Sequence, residues 1–132
     1  MYTVYTDGAY SYARGQGGIG LIIVDKDGYE VLEYSKTYIN TTNNQMEMMA
    51  CIVAMESISE PSALNIITDS QYVIGCAVKG WHRRKNVDLW KRFDKAMRFH
   101  HMVTFTWVKG HKDDKYNNRC DKLAVTASQK EL

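Results

Sequence analysis

Proline is almost missing from this chain: Pro61 is the single one in 132 residues. With 45% of residues hydrophobic beside it, that scarcity excludes a proline-rich or disordered protein and favours packed secondary structure. Cysteine is sparse as well. Cys51, Cys76 and Cys120 are odd in number and far apart, so they make neither a disulfide framework nor the paired spacing of a zinc site. A reducing, cytoplasmic setting is the expectation. No apolar run approaches the roughly 20 residues of a membrane-spanning helix. The chain also opens in a strand-like pattern rather than a basic-then-apolar signal peptide, so no membrane partner is expected. Internal repeats and low-complexity stretches are lacking. A single domain over residues 1–132 is expected, because two domains would leave neither half a comfortable core.

Net charge is only +2, but it is unevenly spread. Residues 79–101 hold eight of the 17 Lys/Arg (Lys79, Arg83, Arg84, Lys85, Lys91, Arg92, Lys95, Arg98) and two of the 15 acids, Asp88 and Asp94. The remainder is net acidic. A segregated basic region fits a polyanionic partner or, equally, a solvated basic helix face.

The elements read in order. Residues 2–6 form a β-rich run ending at Asp7-Gly8. Gly15, Gly17, Gly18 and Gly20 break up a loop before a second strand at 21–24, and Asp27-Gly28 signals a hairpin turn. Residues 30–39 make a third strand. Met46, Met49, Ala50, Val53, Ala54 and Ser57 recur at helical spacing, entered through cap-forming residues 41–44 and stopped by Pro61. A strand at 64–68 ends in Thr68-Asp69, and a short helix starts near Ser70. A helix at 87–99 turns Leu89, Trp90, Phe93, Ala96 and Met97 inward. "MVTFTWV" is a fifth strand, "KGHKDDKYNN" a polar loop, and a closing helix carries Leu123, Ala124 and Ala127. The order βββαβααβα predicts an α/β protein whose mixed sheet has helices on both faces.

Two acids, Asp7 and Asp69, stand at the ends of strands. In such sheets, ligands bind beyond the C-terminal ends of parallel strands. If the first and fourth strands are neighbours, the two carboxylates lie side by side, and their repulsion favours a cation between them. Oxygen ligands with open positions suit Mg²⁺. Glu47, near the start of the first helix, and Asp121, near the start of the last, can join them. Each also has an ordinary structural reading. Glu47 follows Asn44 at a capping distance, Asp121 would favour a helix dipole, and Asp7 and Asp69 can be turn acids.

The motifs "YTDGA" with "GGIG", "TTNNQMEMMACIVAME", "TDSQYV", "KNVDLW" and "WVKGHKDDKYNNRCDKLA" occur in one order over nearly the whole chain. In this the chain resembles type 1 ribonuclease H. The resemblance implies the ribonuclease H fold, with sheet order 3-2-1-4-5 and strand two antiparallel to the rest. It implies hydrolysis of the RNA strand of RNA–DNA hybrids, leaving 5′-phosphate and 3′-hydroxyl ends. Two Mg²⁺ ions, with Mn²⁺ as a substitute, are implied as cofactors held by Asp7, Glu47, Asp69 and Asp121. His111, in the glycine-flanked loop, matches a histidine that assists proton transfer or product release.

Substrate contacts follow from the same resemblance. Gly8, Asn43, Asn44 and Gln71 match positions that contact RNA 2′-hydroxyls, for which amides are suited as both donors and acceptors. Capping is the alternative for the asparagines. Thr42 and Asn86 match a pocket for a DNA-strand phosphate, whose usual arginine is replaced here by Asn40. Asn117 matches an asparagine of the last motif; Asn118 stands where relatives often have an acid. The long basic protrusion of some relatives is cut down to "IGCAVKGWHRR". Trp81, Arg83, Arg84 and Lys85 are expected to take over part of its role, with Trp81 stacking on a DNA sugar. Trp90 and Trp107 read as core residues; His82, His100 and His101 read as surface residues. A monomer is expected. Transposase- or integrase-like relatives share the acids but not these details, and a hybrid-binding module without catalysis is the non-enzymatic rival.

Overall fold

The computed structural model describes residues 1–109 and 114–132. Strands β1 (Tyr2–Ser11), β2 (Gln16–Val24) and β3 (Glu30–Ile39) form a meander. Helix α1 (Asn43–Ser57) crosses to β4 (Ala63–Thr68). Helices α2 (Gln71–Ala77) and α3 (Val87–Phe99) lead to β5 (Met102–Trp107), and α4 (Lys115–Ser128) follows. The sheet order is β3-β2-β1-β4-β5. β2 runs antiparallel to both neighbours, and β1, β4 and β5 are mutually parallel. Both features match the expectation.

Strand periodicity builds the two layers. Ile19, Leu21 and Ile23 of β2 join Val4, Leu64 and Ile66 in the core under α1 and α3. Ile22 and Val24 point the other way, into a smaller cluster with Cys120 of α4 and Tyr5. Covered on both faces, β2 is buried at every position. α1 lies between the sheet and α3, so Met48, Cys51, Ile52 and Met55 are buried as well as Met46, Ala50 and Ala54. That is wider than the stripe read from spacing, in which Ser57 proves exposed. Trp90 and Phe93 fill the α3 side, their ring centroids 4.7 Å apart, and each contributes about 1.5–3 kcal/mol by burial.

Four expectations need correction. β1 does not stop at Asp7 but runs to Ser11, and β2 starts at Gln16, so Gly17, Gly18 and Gly20 are strand residues. They sit where helices press on the sheet: an added Cβ would stand 2.6 Å from Met46 at Gly17, 2.3 Å from the Ala124 carbonyl at Gly18 and 2.4 Å from that of Cys120 at Gly20. α4 begins at Lys115, capped by the Asp114 side chain, inside the stretch read as loop. His100 is buried: the Ser62 N–H donates to its Nδ1 at 3.2 Å, and its Nε2 faces the Met55 carbonyl at 2.8 Å. Trp107 is 40% exposed because it lies past the core on β5; its Nε1 donates to the Asp69 carbonyl at 3.1 Å.

Candidate active site

The β1–β4 register runs from Tyr2 opposite Leu64 to Tyr5 opposite Ile67. β4 ends at Thr68, so β1 continues past it with only β2 beside it, Asp7 facing Gly20 and Gly8 facing Ile19. Carried forward, the parallel register sets Asp7 against Asp69. Thr6 Oγ1 donates to the Ile67 carbonyl at 3.1 Å and ties the strands together at this point. The site therefore lies where the sheet narrows, at the C-terminal end of β4.

Glu47 arrives from α1, in its second turn. The cap of α1 is Thr42, whose hydroxyl accepts from Gln45 N while the Gln45 side chain takes the Thr42 N–H. Glu47 is thus no capping residue, and Asn43 and Asn44 are left exposed at the helix start. Gly8 brings the helix in: a Cβ there would lie 2.5 Å from both Glu47 N and Met46 C. The Gly8 N–H donates to Glu47 Oε1 at 2.6 Å and to Asp7 Oδ1 at 2.9 Å. Among the described residues, carboxylate oxygens of Asp7, Glu47 and Asp69 lie within 4.8 Å of one another.

Asp7 and Glu47 are buried and Asp69 is half-buried. Burial pushes Glu47 far above the usual carboxylate range; the charges of Asp7 and Asp69 and a hydrogen bond shared with Asp69 add to this, against the Gly8 N–H. Two neighbouring thiols are held neutral. Burial pushes Cys51 up to about 12, and burial together with Asp7 pushes Cys120 up further.

Asp121 lies outside this group of three. It is half-buried in α4, well past the helix start, so the dipole reading does not apply to it. Its neighbour Cys120 donates Sγ–H to the Tyr5 carbonyl at 3.4 Å and presses its own carbonyl on Gly20, the partner of Asp7 in the β1–β2 ladder. Asn117, one turn earlier, is buried. Arg119 reaches back to Glu30 and Glu33 of β3, and Tyr116 stacks on Tyr5 at 4.8 Å, which docks α4 along the sheet. His111 falls outside the described residues.

The residues expected on the substrate side fall into two groups. Thr42, Asn43 and Asn44 at the start of α1 and Gln71 at the start of α2 are exposed. Asn86, left-handed at φ 58°, accepts from Gln45 Nε2 at 3.0 Å and donates to the Tyr72 hydroxyl at 3.0 Å. Thr42 and Asn86 are thereby joined through Gln45; Gln45 and Asn86 line a groove of about 580 Å³ with Asn40, Thr41 and Asp88. Sequence reasoning passed over Gln45 and Tyr72. Gln45 is legible as the glutamine that closes a T-x-x-Q capping box, three residues after Thr42; Tyr72 has no local signature. Trp81, Arg84 and Lys85 are exposed on the α2–α3 linker, while Arg83 is turned into the protein.

Residues 1–129 match the family model described as RNase H. A ribonuclease H of Trichodesmium erythraeum is 45% identical, over 97% of this chain and 88% of that protein. Ribonuclease HI of a Synechocystis species is 42% identical, over 96% and 87%. Among solved structures, RNase H1 of the halophilic archaeon Halobacterium salinarum superposes with a TM-score of 0.79 at 28% identity, covering 96% of both chains. The N-terminal RNase H domain of a Mycobacterium tuberculosis protein gives 0.84 at 18% identity, over 96% and 92%, a likeness of fold alone.

The sheet order and these neighbours define an α/β protein of the ribonuclease H fold. With a family match along nearly all its length and relatives above 40% identity, the chain belongs to the ribonuclease H family, in its type 1 branch, whose members are metal-dependent endonucleases acting on RNA–DNA hybrids.

Proposed function

We propose that this chain hydrolyses the RNA strand of RNA–DNA hybrids with two divalent cations, Mg²⁺ with Mn²⁺ as a substitute, leaving 5′-phosphate and 3′-hydroxyl ends. The observation that carries this reading is the gathering of Asp7, Glu47 and Asp69, from three separate elements, within 4.8 Å. Burying acids together is costly without a counter-charge, as the raised Glu47 attests. Oxygen donors alone, beside thiols held neutral, suit a hard cation. Asp7, Glu47, Asp69 and Asp121 would hold the ions, Asp121 helping with the one that serves the attacking water and Glu47 and Asp69 with the one that serves the leaving group. Such ions, when bound, activate the attacking water and stabilise the leaving oxygen.

The chain's own residues supply the rest. The Gly8 N–H orients Glu47 and Asp7 by donating to both. His111 serves proton transfer or product release. The exposed amides of Asn43, Asn44 and Gln71, with the backbone around Gly8, read RNA 2′-hydroxyls. Thr42 and Asn86 hold a DNA-strand phosphate, and Asn117 of α4 joins the residues that bind the substrate. Trp81, Arg84 and Lys85 meet the duplex backbone from the linker. A single-domain monomer in the cytoplasm goes with this reading, and three free thiols agree with a reducing compartment.

The test is cleavage of a labelled RNA–DNA hybrid with Mg²⁺, beside duplex RNA and duplex DNA, by the wild type and by Asp69→Asn. Hybrid-only cutting of the RNA strand, lost in the variant, is expected. No cutting by folded wild type in Mg²⁺ or Mn²⁺ would sink the proposal in favour of a hybrid-binding module.

A further inference from the structure

Arg83 sits in the basic linker between α2 and α3 but is half-buried, whereas Arg84 and Lys85 are exposed. Its Nε and Nη2 donate to the Cys76 carbonyl at 3.2 and 3.1 Å, and its Nη1 donates to Asp94 Oδ2 of α3 at 2.6 Å. The guanidinium lies 4.4 Å from the centroid of the Trp90 ring. With three of its five N–H donors committed and one face covered, it is held to the protein rather than offered whole to a phosphate. It closes the last turn of α2 against the middle of α3, where a planar fork fits and a lysine ammonium does not.

The anchor sits among other contacts that hold the linker. Trp81 N–H donates to the Gly75 carbonyl at 3.0 Å, and its ring lies on Gly75 so closely that a Cβ there would stand 2.0 Å away. Trp81 is docked on α2 yet 49% exposed. On the other side, Trp90, under the guanidinium, donates Nε1–H to the Tyr72 hydroxyl at 3.0 Å. Tyr72 also accepts from Asn86, which accepts from Gln45, whose side chain caps α1 with Thr42. A chain of contacts thus runs from the linker to the N-terminus of α1.

We infer that Arg83 is a positioning residue for hybrid binding. It locks the short α2–α3 linker to Asp94, Cys76 and Trp90, so that Trp81, Arg84 and Lys85 are presented as a fixed platform, in register with the Thr42–Gln45–Asn86 edge. The inference rests on the chain acting on a nucleic-acid duplex, and it corrects the expectation that Arg83 itself touches the substrate.

The experiment compares Arg83→Lys, Arg83→Ala, Asp94→Asn and the Arg83→Lys/Asp94→Asn double variant with the wild type, by steady-state hybrid cleavage at several salt concentrations and by limited trypsinolysis of the linker. Arg83→Lys keeps the charge and the tryptic site. A positioning role gives a several-fold rise in KM with kcat held in Arg83→Lys and Arg83→Ala alike. It also gives a similar rise in Asp94→Asn that does not add to Arg83→Lys, and faster linker cleavage in Arg83→Lys. Near-wild-type KM in Arg83→Lys, with Arg83→Ala lowering the salt slope by about 0.9, would instead make Arg83 a phosphate ligand and overturn the inference. Should the wild type cut no hybrid, the functional reading falls, and trypsinolysis still decides the anchor: unchanged cleavage of Arg83→Lys and Asp94→Asn overturns it, faster cleavage sustains it.

Discussion

Glu47 carries two opposed demands on one side chain. Burial and the charges of Asp7 and Asp69 favour its protonated form, whereas the Gly8 N–H favours the carboxylate. The first set wins, so the metal-free folded state keeps a proton that the unfolded chain releases above about pH 4.5. The sign follows: with its folded-state pKa raised, Glu47 contributes stability that is complete below pH 4.5 and drains away as pH climbs toward that raised value. Metal-free protein should melt at a lower temperature as pH is taken from 5 to 9 (the ordinary stability window is about 5 to 8). Mg²⁺ should raise the melting temperature more at the alkaline end. Glu47→Gln, which keeps an acceptor for Gly8 N–H, should flatten the metal-free profile, shrink the Mg²⁺-dependent rise and slow cleavage on the order of 100-fold or more. Thermal melts across pH, with and without Mg²⁺, check this; an unchanged pH profile in the variant would count against it. At this scale only Asp69 was legible by position, just past a strand; Asp7, Glu47 and Asp121 were legible as residue types in the family motifs, since β1 runs on past Asp7 and the two helices begin well before Glu47 and Asp121. Glu47's burial was not, because the apolar pattern of α1 looked one-sided while the helix is in fact covered on most of its surface by sheet and α3.

Helix α4 brings Asp121 to the sheet, and what lets it approach is the absence of side chains beneath it. Gly18 and Gly20 face Ala124, Ser128 and Cys120 at distances a Cβ cannot share. At Gly20 the collision would be with the Cys120 carbonyl at 2.4 Å, a backbone atom with no room to yield. Gly20→Ala should therefore push α4 outward, cost about 1–3 kcal/mol by overpacking, and weaken the Mg²⁺-dependent rise in melting temperature by moving Asp121. Gly28→Ala makes the control. Gly28 lies in a turn at φ +88° with nothing within 4 Å, so alanine there should lower stability through backbone strain yet leave the Mg²⁺ response intact. Equal metal responses in the two variants would refute this account. The same glycines explain why strands β1 and β2 read too short in the sequence. Clustered glycine normally signals a loop; here it marks strand positions crowded by helices. The early start of α4 was hidden in a different way: its first turn, "KYNN", is mostly polar and reads as loop, although Asp114 caps it and Tyr116 and Asn117 pack inward.

Sheet order and orientation were legible because the family motifs recur in order, and the strand–helix–strand connections alone already favoured parallel pairing in the second half. Charge was harder to place. The basic segment looked uniform in the sequence, yet half-buried Arg83 is paired with Asp94, and Arg92, though exposed, with Glu56, so these cations are already matched by acids of the fold. Arg84 and Lys85 remain exposed beside Trp81 and the Asn86 edge, close to the groove that Asn40 lines, where the family resemblance leads one to expect an arginine. A duplex held by few cations should bind modestly and release readily as salt rises, since each phosphate contact gives up a condensed counterion. KM for the hybrid should climb steeply from roughly 50 to 200 mM salt, and kcat should change little. Arg84→Gln and Lys85→Gln should each lower the log–log slope by about 0.7–0.9, the share of one phosphate, whereas Asn40→Arg should steepen it and lower KM by supplying the missing charge. Steady-state cleavage over that salt range reads all three. A KM indifferent to salt, or a slope that Arg84→Gln and Lys85→Gln leave untouched, would mean that the duplex is held elsewhere and that the linker's charge is only solvated surface.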